Sequence, residues 1–206
     1  TCALPISIGA ASVLVPYGGA HQLSPVDGMV AKLPAFGGET TTVSAMTHGY
    51  NPYLAEQSTF HGGVYSVITA LSKLTSLGIN WQNARLTMQE YFEKLSDDPE
   101  KWAKPFTALL GAFEAQSAMQ TPAIGGKDSM SGTFLDKDVP PNIICFAVAM
   151  GEAKNILSPE IKNDKSMLVL LPLQKDDRAL PCYEYAKKLF SLVFELIQDK
   201  KILSAK

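Results

Sequence analysis

Asn142–Met150 is a stretch of nine residues in which only the first is polar. No other feature limits the possible folds as tightly. The stretch is far too short to cross a bilayer. It reads as a β-strand buried on both faces, which needs sheet neighbours beside it and further layers above and below. Met167–Leu173 reads the same way. A chain with two such strands needs a layered core, and the rest of the sequence has to supply helices to cover it.

Helical spacing appears in several places. Between Gly63 and Leu77, the residues Val64, Ile68, Leu71 and Leu74 recur on one face. Gly78 supplies the stop, because it can take a left-handed cap conformation without a side-chain clash. A second helix is expected over Thr87–Leu95. A third runs from about Lys104 to Met119, with Phe106, Leu109, Leu110 and Phe113 on one face and Pro105 in its first turn. Tyr183, Ala186, Leu189, Phe190, Val193, Leu196 and Ile197 define a strongly amphipathic helix. Short β runs are expected at Ser12–Val15, Thr40–Met46 and Pro122–Ile124, with residues 20–40 mostly loop. The class is therefore mixed α/β or α+β. The polar stretch Asn155–Asp164 marks a domain boundary, giving units at 12–155 and 156–206. The second holds one strand and one helix, so residues beyond about 165 are expected to be poorly stable alone.

Of 206 residues, 46% are apolar and 18% charged, enough for a sizeable core. A net charge of −2 without a basic stripe argues against nucleic acid as a partner. No stretch suits a membrane span or a cleavable signal, so a cytoplasmic location is expected. Cys2, Cys145 and Cys182 are too scattered for a disulfide framework or zinc site. Cys145 reads as a small core residue within its apolar strand. Residues 1–7 resemble translated adapter sequence and are set aside from fold reasoning. With an end just after an amphipathic helix, the chain reads as a fragment.

The chemistry concentrates in Gly125-Gly126-Lys127-Asp128-Ser129-Met130-Ser131-Gly132. Two glycines let backbone approach a ligand closely or adopt positive φ, and successive N–H groups in such a turn converge on phosphate. Lys127 adds a cation, Asp128 a hard oxygen ligand for magnesium, and Ser129 and Ser131 hydroxyls. The spacing is not that of a Walker A motif. Taken alone, the segment reads more readily as a surface turn than as a binding loop.

Other runs narrow the choice. Gly28–Pro34, Gly49–Leu54, Phe60–Tyr65, Ala84–Phe92 and Pro122–Gly132 occur in the order seen in phosphoribosylformylglycinamidine synthases, and the chain resembles the long single-chain form of that family from about Ser12 to Ala205. The resemblance implies an aminoimidazole ribonucleotide synthetase-like N-terminal domain over 12–155, followed by a truncated C-terminal-like domain. It implies an ATP- and magnesium-dependent ligase that turns the amide of formylglycinamide ribonucleotide into an amidine with ammonia from glutamine. The implied partners are a first synthetase half and a glutaminase domain, with the N-terminal-like domains pairing their sheets into a shared barrel. The glutaminase nucleophile is not Cys145, which has no oxyanion turn or His/Glu pair beside it.

Carried over by position, Gly125, Gly126 and Lys127 would meet nucleotide and Ser129 the substrate, and no residue here is assigned as catalytic. Shorter relatives place a magnesium-binding asparagine where Lys127 stands, which moves the metal role to Asp128. Some long-form relatives carry a carboxylate and an asparagine on the helix after Gly62, around an auxiliary nucleotide. Gly63 and Val67 stand there instead, which implies that this site is altered or absent. Thiamine-monophosphate kinase and selenophosphate synthetase, of the same superfamily, lack the Gly49–Leu54 and Ala84–Phe92 runs. A non-catalytic scaffold half is the alternative from another class. His61 reads as structural at a helix start, Gln89 and Glu90 as a solvated helix face, and Asp97-Asp98 and Asp176-Asp177 as loop acids facing water.

Overall fold

The structure is a computed structural model and describes residues 11–206; residues 1–10, including the whole adapter-like segment, lie outside the described residues. A five-stranded sheet forms the centre. Its strands are β1 (Gly28–Lys32), β2 (Thr42–Gly49), β3 (Arg85–Tyr91), β4 (Ala123–Lys127) and β5 (Asn142–Glu152), in the order β1-β2-β5-β3-β4. All neighbours are antiparallel except β3 and β4. Helices α1 (Pro52–Gln57), α2 (Thr59–Ser76), α3 (Pro99–Met119) and α4 (Tyr183–Gln198) complete the architecture.

The apolar stretch that opened the sequence reading is β5, at the centre of the sheet, but only one of its faces is covered. Ile143, Cys145, Ala147 and Ala149 are buried beneath the helices, whereas Met150 on the other face is 62% exposed. The same alternation runs through β1 and β2, whose Val30, Val43 and Ala45 face the core while Met29 is half exposed. The expectation of burial on both faces therefore fails. The face carrying Met29, Met46, Ile144, Phe146 and Val148 is only partly shielded, with Leu14, Pro16, Tyr17, Pro25 and Val26 lying along one side of it.

Residues 87–95, expected as a helix, contain most of β3. Leu86, Met88 and Glu90 point inward and Arg85, Gln89 and Tyr91 outward, a period of two that fits a strand. Ser12–Val15 makes only an isolated bridge, Ser12 to Ala31, as the chain passes along β1. The helix after Gly63 is as expected but starts earlier, at Thr59, with Ser58 accepting from the His61 amide as its cap. Gly78 ends it with φ of +86°. α3 begins at Pro99, with Asp98 accepting from the Glu100 amide, so Asp98 is a cap and Pro105 lies inside the helix. Pro105 there leaves the Lys101 carbonyl without its usual donor.

The packing of α2 on α3 determines which way α3 faces. A Cβ on Gly63 would fall on the Ala108 carbonyl, and one on Gly111 on the Phe60 carbonyl. The two backbones therefore touch, and the inner face of α3 is small: Ala108, Gly111, Ala112 and Ala115. Phe106, Leu109, Leu110 and Phe113 do share a face, but it is the outer one.

The segment Met167–Leu173 is not a strand. Met167, Leu168 and Leu170 are more than four-fifths exposed, and the run pairs with no strand among the described residues. Helix α4 behaves differently. Ala186, Phe190 and Ile197 are buried, Phe190 meets Trp81 edge-on with ring centroids 6.3 Å apart, and Tyr183 donates to Glu114 at 3.0 Å. A turn leading into α4 is fixed by Asp176, whose Oδ1 accepts from the amides of Arg178 and Leu180, both at 2.9 Å. Asp176 is a turn-forming acid, where the sequence suggested a purely solvated one.

Candidate functional site

Strands β2 and β3 both run antiparallel to β5, and β4 runs parallel to β3. Their C-terminal ends therefore lie together at one edge of the sheet. Gly49 at the end of β2 lies against Ser66 of α2, and Gly151 lies against Ile79 beyond its far end. α2 thus runs antiparallel to β2, and its first turns project past the strand ends.

The glycine segment begins at that edge. Gly125, Gly126 and Lys127 belong to β4, an edge strand whose residues are all exposed. Neither glycine has positive φ, so the pair is extended and does not form the phosphate-wrapping turn expected from composition. The two glycines do different things. A Cβ on Gly126 would lie 2.8 Å from the Met88 carbonyl, so this residue permits close approach of β4 to β3; a Cβ on Gly125 would meet nothing within 4 Å. Gly125 is the one open to a ligand.

Beyond Lys127 the chain stays tied to the end of β3 and the residues after it. Ser129 donates its amide to the Glu90 carbonyl at 3.1 Å and accepts from the Phe92 amide at 2.9 Å; the Gly132 amide donates to the Phe92 carbonyl at 2.9 Å. These bonds hold Asp128 exposed at the strand ends, with the hydroxyls of Ser129 and Ser131 2.9 Å apart. Further anchorage comes from Glu93, which is buried and paired with Lys101 at 3.2 Å and with Lys104. Lys101 reaches on to Asp138 at 3.6 Å, and Asp138 accepts from Thr133 at 2.6 Å. The start of α3 and the chain after Gly132 are thereby joined.

Glu90 is the residue that sequence reading misplaced. It lies on the inner face of β3, is nine-tenths buried, and its Oε1 has no hydrogen-bond partner. Burial, followed by the nearby charge of Asp128, raises its carboxyl from 4.5 to about 7. Alternation with Leu86 and Met88 was the available signal, obscured because the stretch also fits a helical period. Two carboxyls, one buried and unpartnered and one exposed, therefore stand at the strand ends beside two serine hydroxyls.

The other candidates have structural roles. His61 is held through both ring nitrogens, Nδ1 at 2.8 Å from Ser58 Oγ and Nε2 at 2.8 Å from the Arg178 carbonyl. Cys145 is fully buried and burial pushes its thiol up to about 12, as expected of a core residue. Gly63 and Val67 are buried in the packing of α2. Two concavities of about 480 and 500 Å³ lie elsewhere, along the uncovered sheet face, the first lined by Met29, Met46, His48 and Phe146 and the second by Arg85, Thr87 and Val148. No helix among the described residues is long and apolar enough to cross a membrane.

No protein-family model and no curated protein sequence matches the chain. Solved structures do. Thermotoga maritima PurL complexed with ATP matches over 93% of this chain and 28% of its own, with a TM-score of 0.63 and 15% identity. The same protein complexed with FGAR gives 0.63 over 85% and 26%, again at 15% identity. Phosphoribosylformylglycinamidine synthase II from Thermotoga maritima gives 0.59 over 82% and 26%, at 16% identity. The chain spans about a quarter of the length of these structures. Its mixed α/β architecture is the aminoimidazole ribonucleotide synthetase-like fold that they contain.

Proposed function

We propose that the chain forms part of the nucleotide- and substrate-binding cleft of an ATP-dependent phosphoribosylformylglycinamidine synthase, in its synthetase half. The observation carrying this reading is the buried carboxyl of Glu90, with an unpartnered oxygen and close enough to Asp128 to feel its charge, at the end of the sheet where the glycine segment lies. The buried, unpartnered oxygen of Glu90 tests whether a divalent cation suits the site, because an orphaned carboxylate oxygen is stabilised by a cation. The donor set fits magnesium, which commonly takes one or two carboxylates and completes its shell with phosphate oxygens and water. Among the described residues no group of three His, Cys, Asp or Glu converges, so these two carboxylates would hold the ion with ligand oxygens and water. Magnesium, when bound, would neutralise charge on the transferring phosphoryl group.

Each residue then has a task. Gly125, with no Cβ and open space before it, admits nucleotide phosphate against the strand. Gly126 keeps β4 tight on β3. Lys127 supplies a mobile positive charge at the rim, Asp128 and Glu90 hold the metal, and Ser129, fixed by two backbone bonds, presents its hydroxyl to substrate. The uncovered sheet face would pair with the corresponding face of another synthetase half, and glutamine-derived ammonia would come from a separate domain.

Isothermal titration of the chain with MgATP tests this reading. Weak binding that Asp128→Ala abolishes is expected, because half of the cleft is supplied from outside. Absence of binding to the chain paired with its complementary half would overturn it. A scaffold role, with nucleotide bound structurally, is the second reading, favoured by the burial of Gly63 and Val67 where relatives hold an auxiliary nucleotide. In the complete enzyme, Asp128→Ala or Ser129→Ala would then leave turnover unchanged, whereas the ligase reading requires a large fall with the fold intact.

A further inference from the structure

The ladder between β3 and β4 runs on past the strand ends. Gln89 lies opposite Lys127, and the two backbone bonds of Ser129, to the Glu90 carbonyl and from the Phe92 amide, set Ser129 opposite Tyr91. Asp128 therefore stands opposite Glu90. Residues opposite each other in a sheet share a face, and successive residues alternate between faces. Glu90 faces the helices, so Asp128 does as well, whereas Lys127 and Ser129 fall on the outer face with Gln89 and Tyr91. On the other side of β3, Tyr91 lies opposite Asn142. The glycine segment thus sends its carboxylate to one side of the sheet and its ammonium and hydroxyl to the other. Asn142, Tyr91 and Ser129 form one row across three strands, and Gln89 and Lys127 stand in the next, a patch of about 10 Å by 7 Å at ordinary strand spacings. It holds one ammonium, two amides and two hydroxyls, without a carboxylate. Of these five side chains, among the described residues, only Ser129 has a hydrogen-bond partner, the Ser131 hydroxyl at 2.9 Å. One step back along β4, Gly125 faces the same side, with nothing within 4 Å of where its Cβ would stand.

We propose that this polar corner of the outer face binds the phosphate ester of a sugar. The phosphate approaches the backbone at Gly125, beside the ammonium of Lys127 and within reach of the Gln89 amide. Tyr91, Asn142 and Ser129, one row away, are left for the hydroxyls of the sugar. Two features favour this ligand over other anions. A lone lysine acts as a point charge suited to phosphate, whereas planar recognition of a carboxylate calls for the fork of an arginine. The neutral donors and acceptors about 7 Å from that charge fit hydroxyl groups, and a bare phosphate would leave them unused. The corner lies on the opposite face from Glu90 and Asp128, so the phosphate held here is distinct from the one met through a metal at that carboxylate pair. The site deepens the substrate contact assigned to Ser129 and rests on that assignment; it adds Gln89, Tyr91 and Asn142 to the residues that touch ligand and gives Lys127 a definite charge partner.

Titration of the intact, isotope-labelled chain with ribose 5-phosphate, followed through its amide chemical shifts in EDTA without nucleotide, provides the test. Saturable shifts are expected at Gln89, Tyr91, Lys127 and Asn142, with a Kd on the order of millimolar for so open a site. Lys127→Met keeps the stem, removes the charge and should weaken binding at least about tenfold, whereas Asn142→Ala should weaken it about threefold. Lys127→Arg should retain binding, because only a charge is required. Lys127 is exposed on an edge strand, and an unchanged amide spectrum away from the corner confirms that each variant is folded. Free ribose should give no saturable shift, and inorganic phosphate should bind several-fold more weakly than the ester. Undiminished binding by Lys127→Met overturns the proposal, as does the absence of any saturable shift. Equal affinity for phosphate and its ester, or shifts confined to the helix side of the sheet, overturns it too. Metal and nucleotide are left out, so failure here is distinguishable from failure of the MgATP titration, which reads the carboxylates on the other face.

Discussion

The carboxyl of Glu90 is held at about 7 by burial and by the charge of Asp128, which links folding to pH. The unfolded chain titrates this group near 4.5, so the folded state binds the proton more tightly. The resulting stability is complete below about 4.5 and is lost as pH rises through about 7. Chemical denaturation from pH 5 to 8 should show that decline, and Glu90→Gln should flatten it while raising stability at pH 8. The neighbouring glycines make a second residue-scale prediction. Gly125→Ala should leave the melting temperature nearly unchanged, because its Cβ enters open space, and any loss of MgATP affinity would report direct contact with the ligand. Gly126→Ala should destabilise by about 1–2 kcal/mol, because its Cβ presses on the Met88 carbonyl. The chemistry of this site was partly legible in the sequence. Asp128 and Ser129 were singled out by residue type, and their expected roles came from the family resemblance. Glu90 was not, because its role depends on which side of a strand it faces, and that depends on a pairing between β3 and β4 across 30 residues and more of intervening chain.

At the scale of elements, contact between α2 and α3 rests on two positions without side chains. Gly111→Ala should cost more than about 2 kcal/mol in denaturant unfolding, since neither carbonyl nor helix can move away cheaply. The helical period of α3 was readable from its sequence, and so was the row of Phe106, Leu109, Leu110 and Phe113. Its direction was not. Large residues ordinarily mark the inner face, but here close backbone approach admits only small ones inward, leaving the bulky row outside. The strand β5 misleads for a related reason. Its outer side chains are as apolar as its inner ones, and composition cannot tell a face that is covered from one that awaits a cover.

For the whole molecule, the segment beyond Ile156 divides into two kinds of structure. α4 is docked through Phe190, Ile197 and the bond from Tyr183 to Glu114, so its amides should exchange as slowly as those of α2. Residues 160–172, without helix or paired strand, should exchange within seconds. Uniform fast exchange beyond residue 165 would instead restore the expectation of an unstable C-terminal unit. Phe190→Ala should free α4 and cost on the order of 3 kcal/mol. The buried glycine in α2 has one more consequence. At position 63 the Ala108 carbonyl occupies the space that any side chain would need. No single substitution can place a metal-binding or other side chain there without unseating α3 from α2. The empty Cβ of Gly63 works as a lock: that face of α2 is closed to ligand chemistry for as long as the two helices touch.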